Sequence, residues 1–316
     1  MPLVSFESGD ISLNFVRKNL SAALLLIAAV IWGSGFVAQK YVLGLSAFAV
    51  VCTRNFIGAA FLALLLPIFD KFRKNGRKLG IIGSTKKELF GGIACGVCLS
   101  IAALLQQIGI AETDAGKTSF ITALYVLIVP IIGLLVGRRS PLHVWISVGI
   151  ALLGFYLLCI KGDFSLAPSD LVVLLSAVVF AVHIMVIDKF SADTDGVRLS
   201  CIQFLTAGVI NLPLTLIFGG IDPGVLLECA LPLLYLGIGS SGIAYTLQIV
   251  GQKNTNPTVA SVVLSLESIF GVIFSALLLG ERMSLREYVG CAVVFIAVIL
   301  AQIDPKELFL KKRKEE

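Results

Sequence analysis

The chain has 316 residues, 57% of them hydrophobic and only 14% charged, with a mean hydropathy of +0.97. A soluble domain carries about 25% charged residues, so a water-soluble globular fold is excluded; apolar runs twice the ~10 residues of a barrel strand exclude a membrane β-barrel. The formal charge of +5 sits in links beside apolar runs and gives no reason to expect a nucleic-acid partner.

Residues 1–19 read as a polar N-terminal cytoplasmic segment. Ten spans follow, at 20–38, 46–68, 89–110, 116–136, 142–160, 169–187, 197–218, 230–250, 257–279 and 284–302, and a charged cytoplasmic tail covers 303–316. About 20 apolar residues in a helix cross the hydrocarbon core. Arg17 and Lys18 before the first run imitate a signal peptide, but the run continues past Trp32 to Val37, and a retained helix is expected. Trp32, Gly35 and Gln39 share one face of it. Trp32 falls nearer mid-span than an interfacial tryptophan would, which suits a cavity wall.

Arg54 lies well inside the second span. A buried guanidinium needs an acceptor: a substrate anion, bound through its two-pronged fork, or a structural partner such as Glu267 or backbone carbonyls. In the third span Cys95 and Cys98 form a CxxC without a second pair, read as inert buried thiols rather than a metal or redox site. The fourth span opens with Lys117, able to snorkel or to draw anions inward, and carries Thr118, Thr122 and Tyr125 at helical spacing. Pro130 and Pro213 should kink their helices. Gly92 with Gly96, and Gly133 with Gly137, have the spacing of close helix contacts. His143 begins the fifth span as an interfacial residue. His183 in the sixth is either a proton relay or a neutral hydrogen-bonded imidazole.

The eighth span carries Ser241, Tyr245, Gln248 and Gln252 at i, i+4, i+7, i+11, one continuous polar face that suits a cavity wall or a set of interhelical hydrogen bonds. Its counterpart in the third span is apolar, with Gln106 and Gln107 beside it, so an asymmetric cavity is expected. The ninth span holds Ser261, Ser265 and Ser268 on one face and Glu267 roughly 100° to the side. A carboxyl at that depth costs several kcal/mol unless it is paired or wet. It is a candidate for ion coupling or for an interhelical ion pair.

The two halves repeat. With an offset of 143, Thr118, Thr122 and Tyr125 fall on Ser261, Ser265 and Ser268, and Gly137–Arg138–Arg139 on Gly280–Glu281–Arg282; an offset of 149 aligns the front of each half. Five spans per half reverse the second half in the membrane, giving two inverted five-helix repeats, 20–160 and 169–302, around a central cavity. With the N-terminus inside, nineteen Lys and Arg fall on the cytoplasmic side and five outside. That bias places both termini in the cytoplasm; the expected location is the cytoplasmic (plasma) membrane. No nucleophile elbow, HExxH, P-loop or cofactor motif occurs, so neither an enzyme nor a bound cofactor is expected.

Three segments resemble the EamA-type transporters of the drug/metabolite transporter superfamily: WGSGFVAQK in the first span, AETDAGKTSFITALYVLIVPIIGLLVGRRSP across the fourth and SLESIFGVIFSALLLGERMS across the ninth. The resemblance covers about 21–302. It implies alternating access around a central cavity and export of amino acids, metabolites or drugs, often with proton or exchange coupling. It carries onto Trp32–Gly33–Ser34, onto Lys117 to Tyr125 with Pro130, and onto Glu267 with Gly280–Glu281–Arg282. Ser268 departs from a frequent proline and Arg138 from a frequent glutamate. The expectation is a secondary transporter of a small polar metabolite, an exporter. The alternatives are a passive channel or facilitator, or a non-transporting sensor, on the same bundle.

Overall fold

A computed structural model describes residues 7–73, 80–159, 167–253, 255–280 and 284–302. The charged tail, Lys161 and the Glu281–Arg282 part of the ninth-span motif lie outside the described residues. Among these residues every regular element is helical, as lipid demands, since a helix satisfies its own backbone polar groups. The long helices are α1 (Glu7–Lys40), α2 (Ala47–Arg73) and α3 (Lys86–Glu112). The next span is split into α4 (Ala115–Ala123) and α5 (Tyr125–Leu135). Then come α6 (Leu142–Cys159), α7 (Pro168–Ser191) and α8 (Gly196–Leu214), the last running into a π-helical turn, Thr215–Gly219.

A short α9 (Pro223–Glu228) leads into α10 (Ala230–Leu234), a π-helical stretch Tyr235–Tyr245, and α11 (Thr246–Gln252). The ninth apolar run is also split, into α12 (Pro257–Leu264) and α13 (Glu267–Leu279); α14 (Leu285–Gln302) closes the described chain. Among the described residues eight helical segments are long and apolar enough to cross a membrane, and the apolar stretches of α6 and α14 are shorter.

The sequence sets these boundaries locally. Thr85 and Glu88 form a reciprocal cap at the start of α3 (Glu88 N to Thr85 Oγ1 3.2 Å, Thr85 N to Glu88 Oε2 2.7 Å). Asp195 accepts from Val197 N and Arg198 N to start α8, and Asn256 caps α12 just before Pro257. Gly137 (φ 79°) and Gly280 (φ 73°) end α5 and α13 in the left-handed region that glycine adopts without steric cost.

The core draws on α1 to α8, the π-helical stretch Tyr235–Tyr245 and α12 to α14, while large side chains such as Leu64, Leu135, Leu171, Leu231 and Leu277 are exposed, as suits a lipid-facing surface. Close approach depends on glycine at α3: a Cβ at Gly92 would stand 2.6 Å from Ile202, and one at Gly96 2.6 Å from the Gln203 carbonyl. Gly133 and Gly137, expected to do the same, have nothing within 4 Å of a Cβ. Gly137 is a helix terminator, and Gly133 supplies its carbonyl to Arg138 N (2.8 Å) in that same terminus.

The helix breaks also differ from the proline-based expectation. The α-helix of the fourth span is interrupted at Leu124, six positions before Pro130, where Leu124 N reaches Ile121 O (3.2 Å) and Leu127 N reaches Leu124 O (3.0 Å). The same tight i→i+3 bonding occurs at Leu266 and Ser268. Among the described residues four ion pairs tie one part of the chain to another. Arg198 and Asp70, 0% and 2% exposed, join α8 to α2 at 2.7 Å. Lys117 reaches Asp170 at 2.5 Å, Lys87 reaches Asp193 at 2.5 Å, and Arg138 pairs with Asp188.

Candidate functional site

A cavity lies where the two split helices meet α1, α7 and the π-helical stretch. From α1 it receives Trp32, Phe36 and Gln39, from α2 Arg54, from α3 Gln106, from α4 Thr122 and from α5 Tyr125. The other wall is Phe180, His183 and Ile184 of α7, Ser240 and Tyr245, Gln248 of α11, Leu264 at the end of α12 and Glu267 at the start of α13. Its free volume for water-sized occupants is about 30 Å³, room for roughly two waters.

Nine expected site residues share this wall: Trp32, Gln39, Arg54, Thr122, Tyr125, His183, Tyr245, Gln248 and Glu267. Arg54 is 5% exposed. Its Nε donates to Ser241 Oγ (3.2 Å) and its Nη2 to Ser240 Oγ (2.8 Å). The envisaged partnership with Glu267 is not formed, because Arg54 is held by these two neutral hydroxyls instead. Glu267 is 4% exposed; its carboxyl and the Tyr125 hydroxyl are neighbours, and Glu267 Oε1 and that hydroxyl have no other hydrogen-bond partner among the described residues.

The remaining contacts fix the wall. Trp32 donates from Nε1 to the Ser240 carbonyl (3.1 Å) and stacks at a tilt on Tyr245, 4.6 Å between centroids. His183 Nε2 and Gln203 Oε1 lie 3.1 Å apart, its Nδ1 is unpartnered, and its ring meets Tyr245 edge-on at 5.8 Å. Gln106 donates to Thr122 Oγ1 (3.1 Å) and accepts from Gln39 (3.4 Å). No group of three His, Cys, Asp or Glu side chains able to hold a metal ion occurs among the described residues.

Six expected residues stand elsewhere. Ser261, Ser265 and Ser268 are fully buried but turn back on their own helix, donating to Thr258 O (2.8 Å), Val262 O (2.7 Å) and Ser265 O (2.7 Å). A serine hydroxyl in a dry helix satisfies itself this way. Thr118 is buried outside the cavity wall, its Oγ1 unpartnered. Lys117 belongs to an ion pair at the N-terminal end of α7, where Asp170 also accepts from Ala167 N (2.8 Å) and Thr113 Oγ1 (3.3 Å). Ser241 stands behind Arg54, and Ser240 takes its expected place in the wall. A π-helix bonds i to i+5, so its wider turn displaces the face that α-helical spacing assigns.

Gln106, Ser240 and the apolar lining Phe36, Phe180, Ile184 and Leu264 are the residues that pattern reading did not place at the site. Internal repetition locates two of them, Gln106 and Leu264. Gln106 and Gln248, Thr122 and Leu264, Tyr125 and Glu267 are pairs of cavity residues, each 142 positions apart. The helix starts at Ala115 and Pro257 share that spacing. The wall is therefore more symmetric than the 143 offset predicted, with a glutamine from each half and a tyrosine opposite the glutamate.

The model of the EamA-like transporter family matches this chain twice, over residues 19–160 and 167–302. The chain belongs to the EamA-like transporter family. An uncharacterized transporter of Archaeoglobus fulgidus is 30% identical over 289 residues, covering 90% of this chain and 87% of that protein. The uncharacterized transporter YcbK of Bacillus subtilis is 23% identical over 293 residues, covering 87% of this chain and 90% of its own. A solved crystal structure shares the fold, with a TM-score of 0.72 at 16% identity, over 94% of this chain and 99% of that one. This EamA-like protein is thus a multi-pass membrane transporter, and its cavity residues come from both family-matching segments.

Proposed function

We propose that this protein is a secondary active transporter that exports a small polar metabolite across the cytoplasmic membrane by alternating access. The observation that carries the reading is the cavity itself: Arg54, His183 and Glu267, all buried at the centre of a membrane bundle, face one shared void. Ionisable groups at that depth are retained where they serve a solute or ion path. The void has room for about two waters, which suits a substrate-free, narrowed state better than an open pore.

Ten spans in two inverted repeats, about 20–160 and 169–302, fit this reading. At 18 residues each, α6 and α14 reach ~27 Å, close to the ~30 Å hydrocarbon core. Five spans per half turn the second half over, so the breaks at Leu124 and at Ser265–Leu266 approach the cavity from opposite sides. The distribution of Lys and Arg puts both termini in the cytoplasm. The test is reconstitution into proteoliposomes and a screen of amino acids, nucleosides and sugars. Saturable uptake is expected, faster in the direction corresponding to export; linear flux with unitary currents would identify a channel and reject alternating access.

A further inference from the structure

We infer that the cavity opens to the cytoplasmic face through a mouth past Gln252, and that the Arg138–Asp188 ion pair is the latch that closes it. The inference rests on the transporter reading for the existence of a second state and for which face is cytoplasmic. Phe180 and Ile184 of α7 line the void, and Asp188 is the next step of the same i, i+4 stripe. Its carboxyl continues the wall toward the membrane face, where Arg138, just beyond α5, reaches it from the other half of the chain. At that level stands Gln252, 1% exposed. Its Nε2 donates to the Ile184 carbonyl (3.2 Å), and its Oε1 has no partner among the described residues. Gln248, one turn nearer the centre, lines the void, and its Oε1 is unpartnered too. Two successive buried amide oxygens without donors are costly in a dry neck and satisfied in a wetted one.

The opposite mouth is built of different material. The repeat sets Gln252 against Ile110, 142 positions away, and Asp188 against Gln39, 149 positions away. Ile110 is fully buried in an apolar cluster with Phe36 and Ala115, and Leu279 packs on it, so the outer neck closes by excluding water. The outer ion pair is a joint rather than a latch. Asp170 accepts from Ala167 N (2.8 Å) and Thr113 Oγ1 (3.3 Å) as well as from Lys117, three bonds that tie the start of α7 to the turn between α3 and α4. Asp188 has Arg138 alone among the described residues, and the two side chains are 12% and 47% exposed. A single pair within reach of water is weak enough to break and re-form during a cycle.

The test reads labelling of Gln252→Cys by a membrane-impermeant maleimide, with the full-length protein in inverted and in right-side-out membrane vesicles. The parent chain, with its native cysteines, gives the background. Asp188→Asn or Arg138→Gln should each speed labelling of Gln252→Cys from the cytoplasmic face about two- to fivefold. The exchange of Arg138→Asp with Asp188→Arg should return the rate toward that of the intact pair, which a merely structural loss would not do. Labelling of Ile110→Cys from the outer face should not rise with any of these changes. Melting in detergent shows which variants are folded, and Arg138→Gln, at a half-exposed side chain, serves if Asp188→Asn does not fold. An unchanged rate in a folded single variant, a rate that the exchange leaves raised, or labelling of Gln252→Cys only from the outer face overturns the inference. The readout needs no identified solute. Unchanged labelling beside saturable proteoliposome flux therefore overturns the latch and leaves the transporter reading standing. Saturable flux of no solute class overturns the transporter reading, while latch-dependent labelling would still report the mouth.

Discussion

Gly33→Ala tests the packing that holds the cavity walls in register. Helix α1 crosses α13 so closely that a Cβ at Gly33 would stand 2.4 Å from Phe270 Cβ and 2.8 Å from both Phe270 C and Gly271 N. Non-bonded carbons rest at about 3.5–4.0 Å, so the methyl falls short by roughly 1 Å. Two of the three obstructing atoms are backbone and cannot rotate away. On its other side α13 is pressed against α4, where a Cβ at Gly271 would meet Ser119 Oγ at 2.6 Å. The helices must therefore part, and overpacking of this kind costs about 1–3 kcal/mol. Trp32 adjoins Gly33, and Glu267 lies one turn before Gly271, so parting the helices also displaces two cavity residues. Thermal unfolding in detergent should show a lowered melting temperature, and proteoliposome flux should fall further than the loss of folded protein explains. Gly133→Ala is the control: its Cβ would meet nothing within 4 Å, and replacing a mid-helix glycine should be neutral or stabilise by about 0.5–1 kcal/mol. Wild-type melting and flux for Gly33→Ala, with a destabilised Gly133→Ala, would refute the reasoning.

Three further outcomes are expected. Asp70→Asn removes one carboxylate from the fully buried Arg198, which keeps Asp195 and the Gly80 carbonyl nearby, so it should destabilise by less than the ~3–5 kcal/mol of a fully stranded buried charge, measured by chemical unfolding in detergent; wild-type stability would show that the pair is dispensable. Glu267→Gln removes the acid from the cavity, and if that acid cycles protons the variant's transport should depend less on pH than the wild type's; unchanged pH dependence with merely lower expression would assign Glu267 to structure. Asp193 is held below the ordinary carboxylate range by the hydrogen bond and charge of Lys87. Its pairing therefore stabilises the fold above the ordinary carboxylate pKa and is lost as pH falls through the depressed value. Because both side chains are exposed, Asp193→Asn should lower the melting temperature only slightly at neutral pH, and the difference from wild type should vanish in strong acid.

Much of the bundle was legible because lipid permits few backbone solutions, so long apolar runs mark helices with little ambiguity. The charged and amide members of the site were legible for a related reason: Arg54, His183, Gln248 and Glu267 interrupt runs that are otherwise apolar. Pairing was not legible. The partner of Lys117 is Asp170, 53 positions away, and no local pattern connects them. Register was legible to within one residue. Anchoring the repeat on Gly137 and Gly280 gives an offset of 143, but the starts of α4 and α12, and of α5 and α13, are 142 apart. The second half has its extra residue after the break, between Glu267 and Gly280, and the 142 offset makes Glu267, not Ser268, the counterpart of Tyr125.

The misplaced residues cluster where the backbone stops being a regular α-helix. Ser241 gave way to Ser240 inside a π-helical stretch, and the serine stripe of the ninth run was divided by the break at Ser265–Leu266. Spacing rules assume a constant turn, so they fail at such points. Yet irregular backbone at membrane depth persists only where it is enclosed by protein or lines a cavity. In this chain Tyr125 and Glu267 each open the helix that follows a break, and both face the void. The departures from helical periodicity are therefore themselves a cavity signal, independent of the polar side chains.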